Sequence, residues 1–165
     1  MRRSLWIAAA VLIADQGTKL LARQLTEPVT LIPGVLGLSL CQNTGVAFSL
    51  LSGRPWLLGL LSLVIVAAGA LLLRRYRLGP LPAVSAMLIL GGALGNAVDR
   101  LFLGSVTDMV ELLFVRFAVF NVADIALTVG CALLALSLLL CPGQWSPRPQ
   151  TSKEGSHEQD EGTHP

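Results

Sequence analysis

Four apolar runs, at about Leu5–Leu21, Trp56–Leu73, Leu81–Leu101 and Val119–Leu140, constrain this 165-residue chain more than any other feature. Each approaches the ~20 residues that a helix needs to cross ~30 Å of hydrocarbon. Charged residues make up 13% of the chain, against about 25% in a soluble domain, and 53% of residues are hydrophobic. The fold class expected is an all-α membrane protein: four transmembrane helices with a small β-structured extracytoplasmic region. One compact domain over residues 1–142 would hold them, followed by a polar tail, 143–165, rich in Ser, Gly, Pro and Glu and expected to be disordered. The start, MRRSLWIAAAVLIA, has the basic and apolar segments of a signal peptide. Asp15 and Lys19 stand where a small-residue cleavage site should be, so the first run reads as a retained helix.

Lys and Arg positions set the orientation. Arg2 and Arg3 precede the first run, Arg74, Arg75 and Arg77 lie between the second and third, and Arg148 and Lys153 follow the fourth. With four spans these places share one side, which makes both termini cytoplasmic. The connections 22–55 and 102–118 then face outward. The first contains VTLIPGVLGLSL, β-branched with a Pro-Gly turn, and the second ends in the alternating FVRFAVF, so short strands are expected in both. Trp6 and Trp56 read as interface anchors.

Within this apolar chain the polar residues are concentrated. Asp124 lies a few residues inside the fourth run and Asp108 just before it. Asn96, Asp99 and Arg100 come at the outer end of the third run, and Asp15 and Lys19 in the outer part of the first. A rise of about 1.5 Å per residue places them all in the outer part of the bundle. Ionisable groups within a bilayer are costly and are kept for chemistry or transport. A proton relay would need such groups through the full depth, and the inner half has almost none. A site at the outer interface suits a substrate that is itself anchored in the membrane.

Other classes fit poorly. The net charge of +2 comes without a basic face or aromatic platform, so no nucleic acid partner is expected. The two histidines, His157 and His164, are both in the tail, which leaves no metal site of metalloprotease spacing and no histidine for serine chemistry. Neither metal nor other cofactor is expected. Cys41, alone in a loop, and Cys131 and Cys141, at the apolar run, read as small apolar filler and not as a disulfide framework. GGALG at 91–95 reads as close helix packing. Asp15 and Lys19, four apart, suit an ion pair facing the bundle, and Asp99 with Arg100 reads as a structural ion pair.

Two carboxylates held close together share a proton. One can then activate water while the other protonates a carbonyl oxygen or a leaving amine, which hydrolyses a peptide bond without metal or covalent intermediate. The residues alone leave Asp124's partner open between Asp99 and Asp108.

The motifs DQGTK (15–19), QNTGVAFS (42–49), GGALGNAVDRL (91–101), VTDMVE (106–111) and FNVAD (120–124) stand in the order found in the lipoprotein signal peptidases, or bacterial signal peptidase II. The resemblance covers roughly residues 12–130, and five motifs in order across four runs make it specific. It implies a four-helix aspartyl endopeptidase of the bacterial cytoplasmic membrane, with its active site near the extracytoplasmic face. Such an enzyme cuts prolipoproteins just before a diacylglyceryl-modified cysteine. It also implies Asp108 and Asp124 as the catalytic pair. Asn96 and Asn121 would orient the carboxylates or bind substrate backbone, and Asn43 with Gly45 would reach in from the first outer loop. Asp15, Lys19, Asp99, Arg100 and Ala123 would support the site. Prolipoprotein substrates and membrane lipid are the expected partners, and the enzyme is expected to be a monomer. Ile125 stands where the family often has Ser or Thr, and Met109 where an aromatic is usual.

Overall fold

The structure, a computed structural model, describes residues 4–44 and 55–148; Gly45 and the tail from 149 onward lie outside the described residues. Four α-helices form: α1 (Leu5–Ala22), α2 (Pro55–Arg74), α3 (Pro80–Phe102) and α4 (Val122–Leu140). Three of them, α1, α3 and α4, are long and apolar enough to cross a membrane, and Trp56–Leu71 within α2 is a shorter apolar helix. Three strands, β1 (Val29–Ile32), β2 (Leu36–Asn43) and β4 (Val106–Leu112), make an antiparallel sheet in the order β1-β2-β4. Two short strands, β3 (Tyr76–Leu78) and β5 (Trp145–Pro147), pair at the other end of the bundle.

The helix α3 is the centre, packed against α1, α2 and α4. Glycines allow that closeness. A Cβ on Gly92 would stand 2.5 Å from the carbonyl oxygen of Ala123, and one on Gly91 2.8 Å from that of Ala8. Lipid tails are as apolar as leucine, so helices in a membrane associate through such close backbone contact and through polar groups, not by hiding apolar side chains. The surface agrees: Ile13, Leu20 and Leu21 of α1, Val64, Ile65 and Leu71 of α2, and Leu138, Leu139 and Leu140 of α4 all point outward. Trp6 and Trp56 are exposed as well.

The β1-β2 hairpin forms where Pro33-Gly34 invites a type II turn. Pro33 presets the first central position, Gly34 has φ of +70°, and the Val35 amide donates to the Ile32 carbonyl at 3.0 Å. The expected strand over 114–120 does not form. The inner edge of β4 is taken by β2, and the chain beyond Leu112 meets its other edge only at Phe120, which exchanges backbone hydrogen bonds with Val110. Without a partner ladder an alternating segment has nowhere to place its amides except water. Cys41 is likewise not in a loop: it lies on β2, directly across from Asp108.

The chain after α4 is ordered further than its composition implies. Pro142–Gln144 form a 3-10 turn and β5 follows. The start of α3 explains this. Pro80 and Pro82 have no N–H, so the helix's early donors there are those of Leu81 and Gly79, and Gln144 takes both. The Leu81 amide donates to its Oε1 at 3.0 Å, and the Gly79 amide to its carbonyl at 2.8 Å. Trp145 then packs edge-on against Tyr76, with ring centres 6.0 Å apart. Truncation after Pro142 is therefore expected to lower the thermal unfolding midpoint of the purified protein in detergent, whereas truncation after Arg148 leaves it unchanged. Equal midpoints for the two would show that the clip adds no stability.

Candidate active site

The site is built on the amino-terminal end of α4. A helix start leaves backbone N–H groups without partners, and here three side chains take them. Asn121 is the N-cap: its Oδ1 accepts from the Asp124 amide at 2.9 Å, while Asp124 Oδ2 accepts from the Asn121 amide at 3.1 Å. This reciprocal arrangement is a capping box. The Ala123 amide donates at 2.9 Å to Asp15 Oδ1, which arrives from α1. Asp124 thus stands in the first turn of α4, half-buried, at the mouth of the bundle.

One face of α1 supplies the countercharges. Asp15, Lys19 and Arg23 recur every four residues, so they stack along one stripe. Lys19 Nζ lies 2.8 Å from Asp15 and 3.4 Å from Asp99, and donates to Asn96 Oδ1 at 3.0 Å. Arg23 reaches Asp99 at 3.2 Å and Thr107 Oγ1 at 3.0 Å. The other oxygen of Asp99 accepts from the Thr107 amide at 2.9 Å. Gln16 donates to both Asp15 and Asp99. Asp15, Lys19 and Asp99 have no exposed surface. A buried charge needs a partner and filled hydrogen bonds, and this cluster meets both needs while tying α1, α3, α4 and β4 together. Gly95 is what lets α3 come so near: a side chain there would collide with the Asp15 carboxylate.

Asp108 enters on β4. The β2-β4 register sets Asn43 opposite Val106, diagonal to Asp108, and Asn43 Nδ2 donates to Asp108 Oδ2 at 3.2 Å. Asn121 Nδ2 donates to Asp108 Oδ1 at 2.6 Å and also to Asn96 Oδ1 at 3.1 Å. Asn96 in turn donates to Asp124 Oδ1 at 2.8 Å. Asn121 therefore donates to both carboxylates, to Asp108 through its side-chain nitrogen and to Asp124 through its backbone N–H, while its side-chain oxygen holds the Asp124 amide. Burial pushes Asp108 up from 3.8 to about 6; the hydrogen bonds from Asn43 and Asn121 and the charge of Lys19 pull against it, and the charge of Asp124 adds to it. Arg100 lies in electrostatic reach of Asp124, Asp108 and Asp99.

Of the residues singled out in the sequence, Asp15, Lys19, Asn43, Asn96, Asp99, Asp108, Asn121, Ala123 and Asp124 meet in one hydrogen-bonded network. Arg100 stands beside it through its charge, and Gly45 lies outside the described residues. The Asp15–Lys19 pair forms as the spacing implies. The ion pairs of Asp99 run to Lys19 and Arg23. Sequence reasoning missed Gln16, Arg23 and Thr107. The four-residue step from Asp15 through Lys19 pointed to Arg23, and nothing local pointed to Thr107. Met109 is buried and Ile125 exposed. Among the described residues no three His, Cys, Asp or Glu side chains are grouped to hold a metal ion.

An apolar helical bundle with a paired carboxylate at one mouth, held by asparagines and by a helix start, belongs to the class of membrane-embedded hydrolytic enzymes. The comparisons narrow this. Residues 7–140 match the family model described as signal peptidase (SPase) II. The chain is 44% identical to the lipoprotein signal peptidase of Geobacillus kaustophilus, over 78% of this chain and 88% of that one. It is 39% identical to that of Parasynechococcus marenigrum, over 87% and 89%. A solved structure described as a bacterial membrane enzyme, determined by the in meso method at 2.3 Å, superposes with a TM-score of 0.79 at 27% identity, covering 96% of each chain. The chain belongs to the signal peptidase II family, and its activity is that of a peptidase that removes signal peptides from prolipoproteins.

Lys19 is the group on which two buried carboxylates depend. Lys19→Met is expected to cost about 3–5 kcal/mol, the range for breaking a buried charge cluster on one side. Thermal or denaturant unfolding in detergent measures it, and a loss below about 1 kcal/mol would mean that the cluster does not hold the helices together.

Proposed function

We propose that this chain is a membrane aspartyl endopeptidase in which Asp108 and Asp124 share one proton and cut the prolipoprotein just before its diacylglyceryl-modified cysteine. The observation that carries the pairing is Asn121, whose side chain binds Asp108 at 2.6 Å and the Asp124 amide at 2.9 Å. Asp99, the other candidate partner, is engaged by Lys19, Arg23 and Thr107 and has no oxygen left for a substrate.

In this reading Asp108 carries the shared proton and Asp124 is the base. Water between them gives a proton to Asp124 as its oxygen attacks the scissile carbonyl carbon, and Asp108 gives its proton to the carbonyl oxygen. The resulting tetrahedral diol collapses: the C–N bond breaks, Asp124 passes its proton to the leaving amine, and a hydroxyl proton returns to Asp108. Asn96 and Asn121 orient the carboxylates, and Asn43 holds Asp108 from the first connection. Asp15, Lys19, Asp99, Arg100 and Ala123 fix the helices behind them.

All four helices, α2 included, span the bilayer in this account, with the chain acting as a monomer. Sheet β1-β2-β4 covers the extracytoplasmic end, and the arginines near β3 and β5 mark the cytoplasmic end. The two acyl chains of the substrate lie in lipid and its signal helix lies along the bundle, so the scissile bond comes to rest at the mouth. A diacylglyceryl-modified prolipoprotein incubated with wild type, Asp108→Asn and Asp124→Asn, each checked for helical content, tests the assignment. Wild type should cut before the lipidated cysteine, and both variants should lose at least about 100-fold, the scale of removing an acid or base. Turnover within threefold of wild type in either variant would remove that residue from the mechanism.

A further inference from the structure

We propose that the clip made by β3 and β5 is a binding surface for the headgroups of anionic phospholipids. Four arginines gather there: Arg74 ends α2, Arg75 and Arg77 flank Tyr76 on and before β3, and Arg148 follows β5; all four are exposed. The backbone holds two of them together, since the Arg148 amide donates to the Arg75 carbonyl at 2.8 Å. Like charges facing across a ladder destabilise it, and among the described residues no carboxylate pairs with them. The sequence has no Asp or Glu between Glu27 and Asp99 or between Asp124 and Glu154. Among the described residues none of the four arginines forms an ion pair.

The position of the cluster selects the anion that would bridge it. The clip joins the end of α2, the start of α3 and the end of α4, so with the four helices spanning as proposed above it sits where they leave the hydrocarbon. Tyr76 and Trp145, stacked edge to face and half-buried, form the kind of aromatic anchor found at that level. Basic clusters directly after membrane helices attract anionic lipid. The strand pairing adds something a loose basic loop lacks, because it fixes Arg75 and Arg148 side by side for a single phosphate.

The chain itself offers a rival anion in Glu154, Glu158, Asp160 and Glu161. The test therefore uses the full chain, the chain truncated after Arg148, Arg75→Gln/Arg148→Gln, and Arg75→Lys/Arg148→Lys. Each is purified in neutral detergent and titrated with phosphatidylglycerol, phosphatidylcholine or inorganic phosphate. Thermal midpoint and lipid retention by native mass spectrometry are read. The expected result is a rise of several degrees with phosphatidylglycerol alone. It should be kept in the truncated chain and in the Lys variant, weakened by salt, and lost in the Gln variant. Arg148 Nε donates to the Tyr76 carbonyl at 3.0 Å, so the Gln variant should start from a slightly lower midpoint before lipid is added, and the rise on adding lipid is read from each protein's own baseline. If that variant proves unstable, the salt dependence and the contrast with phosphatidylcholine decide the matter in wild type. Equal effects of the two lipids, an equal effect of inorganic phosphate, or an effect seen only after truncation would overturn the proposal, the last by assigning the surface to the acidic tail.

Discussion

Lys19 has no exposed surface, and its ammonium group lies within 3.4 Å of Asp15, Asn96 and Asp99. The geometry of the mouth follows from that contact. Asp15, held by Lys19, accepts the Ala123 amide and so fixes where α4 begins. Asp99, held by Lys19 and Arg23, accepts the Thr107 amide and so fixes the strand one residue before Asp108. The two carboxylates proposed to do the chemistry come from a strand and from a helix start that have no direct covalent reason to meet. The ion cluster behind them gives that reason.

This arrangement reverses the usual layout of a protein. Large apolar side chains face outward on every helix, and the buried set is mostly small or polar: Gly, Ala, Ser, Asn and the charged cluster, with Leu58, Met87, Val106 and Met109 among the few large apolar members. In a bilayer the polar contacts hold helices together where apolar packing gives no preference. The asparagines among them also hold Asp108, whose carboxyl is lifted by burial to about 6 against their pull and that of Lys19. The same groups therefore serve cohesion and chemistry, and substitutions among them will not separate the two unless folding is measured alongside cleavage.

Much of this was legible in the sequence because hydrocarbon imposes simple rules. Helix boundaries read from apolar runs agree with α1, α2 and α3 to within a residue or two. The fourth run starts earlier than α4, since Asn121 caps the helix and leaves Phe120 to bond with Val110. The Pro-Gly hairpin and the glycine packing of α3 were also readable, being set by local chemistry. Long-range partners were not. FVRFAVF alternates like a strand yet lacks an edge to join, and Trp145–Pro147 looks like the start of a polar tail yet finds one in Tyr76–Leu78. The residues alone left Asp124's partner open between Asp99 and Asp108, and only the family resemblance favoured Asp108; that Arg23 and Thr107 close around Asp99 is a fact that spacing along the chain does not contain.

The claim at the centre of this account is that Asp108 holds the proton of a pair, and infrared spectroscopy can see that proton. A carboxylic C=O band should be present in the lipid-embedded wild type in mildly acid buffer, and should fade as pH rises through about 6. It should be missing from Asp108→Asn over the same range. A band that persists in Asp108→Asn, or wild type with no carboxyl band down to the ordinary carboxylate range, would contradict the account.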